Sequence, residues 1–344
     1  MTLEQKIGQM VLTGFRGLTV DDSSPIVDDI RNGRVGGVIL FDKDVALNSD
    51  IRNIESPEQV KRLNSKLQEY GEGNLIISID QEGGLITRLK EKHGFRPTAS
   101  HKLIGETDDR EFTINQAAET AETLSAAGFN MNFAPVVDLN LNPSNPVIAG
   151  FERSISDDVD VVVKHSAIFV DELRKKSILS ALKHFPGHGS STEDSHEGFV
   201  DVTNIWQLRE LSTFRDLIDI GKTDVIMTAH IFNSNYDKRY PATLSKGWLT
   251  GILRYGLDFQ GVIITDDMQM KAISKHFTLV ESIELTINAG TDILMFANNV
   301  DFDEDIARKV NNIILELVKT NRISEERINE SYERIKLLKN KING

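Results

Sequence analysis

Short apolar runs rich in β-branched residues recur along the whole chain, at residues 9–15, 36–41, 75–80, 131–137, 178–185, 225–231, 261–266 and 293–297. Within each run the apolar character is nearly continuous and does not alternate. That is the pattern of strands buried on both faces, as in a parallel sheet. Successive runs start 27 to 56 residues apart. A strand–helix–strand unit takes roughly 30 residues or more, so every interval but the first clears that figure, and the first falls only slightly short.

Helical patterning fills the intervals. Residues 114–127 are Ala-rich, with Glu119, Glu122 and Leu124 as further good helix formers. Residues 159–175 carry apolar positions at helical spacing and end in a basic pair. Ser324 is a good N-cap, with Glu325 and Glu326 in the first turn where the helix dipole favours acids. Ile328, Tyr332, Ile335, Leu338 and Ile342 then form one apolar stripe. Eight such alternations predict an α/β fold, a (β/α)8 TIM barrel forming a single catalytic domain over residues 1–344. The rival is an open doubly wound sheet. No Gly/Ser/Pro-rich linker, low-complexity tract or solenoid repeat divides the chain. The polar segments 42–56, 143–158 and 187–204 are expected to be βα loops over one face of the barrel.

Length agrees with one large barrel or two average domains: there are 344 residues, 40% of them hydrophobic, enough for a substantial core. The formal net charge is −13. A surface so acidic repels phosphate backbones and anionic lipid, so neither nucleic acid nor membrane is an expected partner. The chain has no cysteine, which excludes disulfides and thiolate metal sites. The opening MTLEQKIGQM lacks the basic and apolar regions of a signal peptide, and no run reaches the roughly 18 apolar residues of a membrane span. The expected compartment is the cytoplasm, unless a leader has been trimmed.

Active sites of such barrels lie at the C-terminal ends of the strands. The third run ends at Asp80, the fifth in Lys183-His184, the sixth at His230, the seventh in Asp266-Asp267, and the eighth runs into Asn298-Asn299. Any strand turns polar where it meets water, which explains one such residue better than it explains a Lys, two His and three Asp at four exits. After the fifth run, KHFPGHGSSTEDSH places Asp194 two residues before His196. A carboxylate so placed can orient an imidazole and raise its basicity, as a general acid/base requires. A solvated loop histidine is the plainer reading of that spacing alone. Asp266 is the first acid after a buried strand and is placed to attack an electrophilic carbon, or else to cap the following helix. Asp267 should face the other way if the extended geometry continues. His184, His188, Asp194 and His196 also offer metal-ligand chemistry. The His-x-His expected on the first strand of metal-dependent barrel hydrolases is missing from 9–15, so no metal and no cofactor are expected.

Six motifs together resemble glycoside hydrolase family 3, and within it the β-N-acetylglucosaminidase branch: IDQEGG at 79–84, FAPVVDLN at 133–140, ERS at 152–154, KHFPGHG…DSH at 183–196, MTAHI at 227–231 and ITDDMQM at 264–270. The similarity runs over residues 3–299, and the chain resembles the single-domain members, many of them cytoplasmic enzymes of bacterial cell-wall recycling. The resemblance implies that Asp266 is the nucleophile and that His196 is the acid/base, with Asp194 as its dyad partner. It implies that Asp80, Arg88, Arg153, Lys183 and His184 bind the sugar. His230, at the exit of the sixth strand, joins them as a candidate contact. One departure is Leu85, where the family usually carries Arg.

The implied reaction is retaining removal of terminal GlcNAc from peptidoglycan fragments or chitooligosaccharides through a glycosyl-enzyme on Asp266. Phosphorolysis giving GlcNAc-1-phosphate is a variant. The implied partner is a carbohydrate with a non-reducing terminal GlcNAc; the sequence leaves the oligomeric state open. The alternatives are a metal-dependent TIM-barrel hydrolase and a non-catalytic sugar-binding barrel. The loop 187–204, Ser/Gly-rich at its start, is expected to be mobile and to close over substrate.

Overall fold

A computed structural model describes residues 1–194 and 198–343. Among these residues there are ten strands: β1 Val11–Gly14, β2 Gly37–Ile39, β3 Ile76–Ile79, β4 Met131–Asn132, β5 Leu179–Phe185, β6 Val200–Asp201, β7 Val225–Thr228, β8 Ile231–Phe232, β9 Val262–Ile264 and β10 Leu294–Phe296. Eight of them form one parallel sheet in the order β10-β1-β2-β3-β4-β5-β7-β9. A parallel bridge between Ile264 and Ile293 joins the two outer strands, and the Thr265 N–H donates to the Ile293 carbonyl at 3.0 Å. The sheet thus curls round into a barrel with the helices outside, and all eight predicted runs are its strands. Every residue of these strands is buried. That burial on both faces is why the runs are continuously apolar.

The ladders are shorter than the runs. β4 stops at Asn132 although the chain stays buried to Val137, because Pro135 has no N–H to give. Pairing resumes beyond it, where the Val137 N–H donates to the Lys183 carbonyl at 2.9 Å. β6 and β8 form a separate parallel pair that the periodicity did not indicate; it ties the loop after β5 to the loop after β7.

The predicted helices form where expected. Arg110–Ala127 starts at Asp109, whose carboxylate accepts from the Phe112 N–H, and stops at Gly128 in the left-handed region. Val159–Arg174 is capped by Asp158, and Glu325–Asn343 by the Ser324 hydroxyl. In the last helix Ile328, Ile335 and Leu338 are buried, each worth roughly 1.5–3 kcal/mol of apolar burial. That helix closes the end of the barrel opposite the strand exits. Its Lys339 is buried, with Nζ 2.6 Å from Gln9 Oε1, 2.9 Å from the Gly36 carbonyl and 2.7 Å from the Asn74 carbonyl, at the entrances of β1, β2 and β3. Burial pushes its ammonium down to about 7. Among the described residues, no helix is long and apolar enough to cross a membrane.

Candidate active site

At the exit of β3 the chain folds back on itself. The Gln81 side-chain carbonyl accepts from the Arg88 and Leu89 N–H groups, both at 3.1 Å. Gly83 takes a φ of 104°, and a Cβ there would lie 2.1 Å from the Ala99 carbonyl oxygen. This turn returns Arg88 to Asp80, 3.4 Å away. Leu85, the departure from the family pattern, sits at its tip and is exposed.

Asp266 and Asp267 follow β9. Together with Asp80 and Arg88 they line a pocket of about 280 Å³ at the strand exits. Both acids reach the wall, contrary to the expected alternation, because the chain turns after Thr265: the Met268 N–H donates to the Met295 carbonyl and the Met270 N–H to that of Asp267. Their tasks still differ. Asp267 Oδ1 accepts from the N–H groups of Gln269 and Ala297, joining the exits of β9 and β10. Asp266 is half-buried, and its Oδ1 accepts from the Asp267 N–H at 2.8 Å. Neither caps the following helix Lys271–Ser274, whose N-cap position is Met270.

Behind the pocket runs a buried ionic chain. Lys183 Nζ lies 2.8 Å from Asp80 Oδ1 and 2.6 Å from Glu82 Oε1. Arg153 holds Glu82 through two contacts of 2.8 Å and places NH2 3.0 Å from His184 Nε2. His184 Nδ1 lies 2.6 Å from Asp138 Oδ2. A guanidinium only donates, so His184 Nε2 accepts, and the ring proton resides on Nδ1 and is donated to Asp138. With His184 neutral, Asp80, Glu82 and Asp138 balance Arg88, Lys183 and Arg153. Burial works to raise the Asp80 and Glu82 carboxyls, but the neighbouring cations outweigh it: Lys183 and then Arg88 hold Asp80 below its ordinary value, and Arg153 with Lys183 holds Glu82 far below. Burial works to raise Asp138 too, but the hydrogen bonds it accepts from the His184 ring and the His188 N–H hold it below its ordinary value.

Of the predicted site residues, Asp80, Arg88 and Asp266 therefore share one pocket wall. Lys183, Arg153 and His184 stand behind it, occupied by Glu82 and Asp138, and touch the wall through Asp80. Both ring nitrogens of His184 are engaged, which removes it from the metal-ligand set considered above. His230 is buried, with Nδ1 2.8 Å from Thr243 Oγ1 and Nε2 3.0 Å from the Asp267 carbonyl, and so braces the turn after β9. Asp194 is half-buried on the loop after β5; His196 lies outside the described residues. Glu82 and Asp138 were missed as functional residues. Both stand inside quoted motifs; for Asp138 the available signal was an acid directly following a buried apolar run.

The start of the loop after β5 is packed into the fold: residues 187–191 are buried. A Cβ on Gly189 would lie 1.7 Å from the Leu139 carbonyl oxygen, so glycine is there for close approach. The His188 N–H donates to Asp138 at 2.8 Å, and Asn145 Nδ2 donates to the His188 carbonyl at 2.8 Å. Burial pushes the His188 imidazole down to about 4.

The family model described as "Glycosyl hydrolase family 3 N terminal domain" matches residues 2–338. The chain is 32% identical over 376 residues to "Beta-hexosaminidase A" of Pseudoalteromonas piscicida, covering 99% of this chain and 62% of that protein. It is 34% identical over 277 residues to a "Beta-hexosaminidase" of Haemophilus influenzae, covering 79% and 75%. Among solved structures, a glycoside hydrolase family 3 β-N-acetylglucosaminidase from Paenibacillus superposes with a TM-score of 0.90 at 35% identity, covering 100% of this chain and 63% of that one. The chain thus spans less than two thirds of the Pseudoalteromonas and Paenibacillus proteins. A β-N-acetylhexosaminidase from Beutenbergia cavernae superposes at 0.85 with 26% identity, covering 99% of each.

Proposed function

Because the chain belongs to glycosyl hydrolase family 3, we propose that it is a retaining exo-β-N-acetylglucosaminidase acting on terminal GlcNAc of peptidoglycan fragments or chitooligosaccharides. Asp266 attacks the anomeric carbon while the bond to the aglycone oxygen breaks, and His196 as imidazolium gives that oxygen its proton. In the second step neutral His196 takes a proton from water, the water oxygen replaces the Asp266 carboxylate, and GlcNAc leaves with its original configuration. Asp194 holds the imidazole. This differs from the general scheme of two carboxylates in using histidine as the acid/base. Asp80 and Arg88 bind sugar hydroxyls, which suits groups that make paired, directional hydrogen bonds. Lys183, Arg153 and His184 keep that pair in place from behind.

The observation that supports this reading most is the shared pocket: the acid assigned as nucleophile and the charged pair assigned to the sugar stand on one wall at the strand exits. The relatives named as β-hexosaminidases point to the same sugar. The test is to incubate the protein with a slow fluorinated GlcNAc donor and to locate the adduct by peptide mass spectrometry. The expected adduct is on Asp266, and Asp266→Ala should abolish turnover of an aryl β-GlcNAc with the fold intact. An adduct elsewhere, or near-normal turnover by the variant, rejects the assignment. Product analysis with GlcNAc-anhydromuramic acid and chitobiose, each with and without phosphate, then separates hydrolysis from release of GlcNAc-1-phosphate.

A further inference from the structure

Glu210 opens the helix Glu210–Asp219, sits on the far side of the loop after β5, and is 1% exposed. Its carboxylate faces that loop and receives four neutral donors. Oε1 accepts from the Ser190 hydroxyl at 2.5 Å and from the Gln207 N–H at 3.2 Å. Oε2 accepts from the N–H groups of Gly189 at 2.9 Å and Ser190 at 3.4 Å. The chain also lies directly on this side chain: a Cβ on Gly187 would be 2.5 Å from Glu210 Cβ. The same stretch is also held through its carbonyls, by Asn145 Nδ2 at His188 and by Asn142 Nδ2 at Ser191, 2.8 Å each.

We propose that Glu210 is a positioning residue: its carboxylate fixes the Gly189–Ser190 backbone, and so the root from which the loop bearing Asp194 and His196 departs. This rests on the function proposed above. A buried carboxylate answered only by neutral groups is an expensive way to anchor a loop. Burial, opposed by those hydrogen bonds, pushes it up to about 7. A neutral acceptor would serve packing alone at less cost. What the carboxylate adds is convergence, since two oxygens take three donors from two adjacent loop residues and set their orientation together. Asp194 is four residues further on, so only three residues separate it from the anchored Ser190.

The test compares wild type, Glu210→Gln, Glu210→Ala and His196→Ala on two substrates, an activated dinitrophenyl β-GlcNAc and a poor-leaving-group alkyl or chitobiose substrate, with and without azide. Glu210→Gln keeps the shape but turns an amide NH2 toward a donor. It should lower kcat on the poor leaving group about tenfold more than on the activated one, as the loss of one such contact implies. Azide, which needs no general base, should partly restore turnover of the activated substrate, and KM should change little. Glu210→Ala should show the same pattern more strongly; if it does not fold, the Gln variant decides. Equal losses on both substrates, or a lowered melting temperature with unchanged kinetics, overturn the proposal. His196→Ala separates the two ideas. If it lacks leaving-group dependence, the proposed function falls and this inference with it. If it has that dependence while the Glu210 variants do not, only the role of Glu210 is refuted.

Discussion

Arg153 grips Glu82 through two contacts of 2.8 Å, and the second oxygen of the pair is shared with Lys183 at 2.6 Å. One buried acid thus organises two of the cations nominated for sugar binding, and neither meets the pocket except through Asp80.

Glu82→Gln should therefore act at a distance from the pocket wall. It leaves a buried cation short of its counter-charge, a situation that costs about 3–5 kcal/mol. Urea unfolding should show a loss of that order. If the variant is studied below its transition, KM for the glycoside should rise, because Lys183 is no longer held between two carboxylates and positions Asp80 less firmly. Stability within 1 kcal/mol of wild type would mean that the network tolerates an unbalanced charge, and that its ion pairs matter less than the geometry implies.

Gly189 supplies a steric prediction with an internal control. In Gly189→Ala the new methyl meets the Leu139 carbonyl oxygen at 1.7 Å, whereas a Cβ on Gly198, further along the same loop, has nothing within 4 Å among the described residues. Overpacking of a rigid site costs roughly 1–3 kcal/mol. Thermal unfolding should therefore separate the two alanine variants, with Gly198→Ala close to wild type. Indistinguishable melting temperatures would show that the loop root yields easily, against its description as an anchor.

The closing helix carries a dependence on pH. Lys339 has its folded-state pKa lowered by burial to about 7, below the unfolded value. Between those two values the unfolded chain binds a proton that the folded chain does not, so stability rises with pH across that window. Below about 7 both states are protonated and the full penalty of the buried charge is present. Lys339→Met has no such group. The difference in unfolding free energy between wild type and this variant should move in favour of wild type from pH 7 to pH 10. A difference that stays flat would place the ammonium in contact with water.

What could be read beforehand follows from what each feature depends on. All eight barrel strands were legible because burial on both faces is written locally, as unbroken apolar runs such as Leu179–Phe185. Asp80 and Asp266 were legible because strand exits of a barrel converge whatever their separation in sequence; Arg88, beyond the end of β3, was indicated only by the family resemblance. The partners of the buried cations were not. Glu82 and Arg153 are 71 residues apart and Asp138 and His184 are 46 apart, and no periodicity links them. The β6–β8 pair escaped notice because two-residue strands have no pattern to show. The orientation of Asp267 was misjudged because alternation holds only while a strand stays extended, and the chain turns just before it.

Lys339 joins positions 330, 303 and 265 residues upstream. A polypeptide leaves the ribosome from its N-terminus, so the mouths of the first three strands stay without this donor until residue 339 has emerged. Contacts of such separation come late and slow the search for the native state. A chain cut before Lys339 would leave the Gln9, Gly36 and Asn74 oxygens at the base of the barrel without this shared donor.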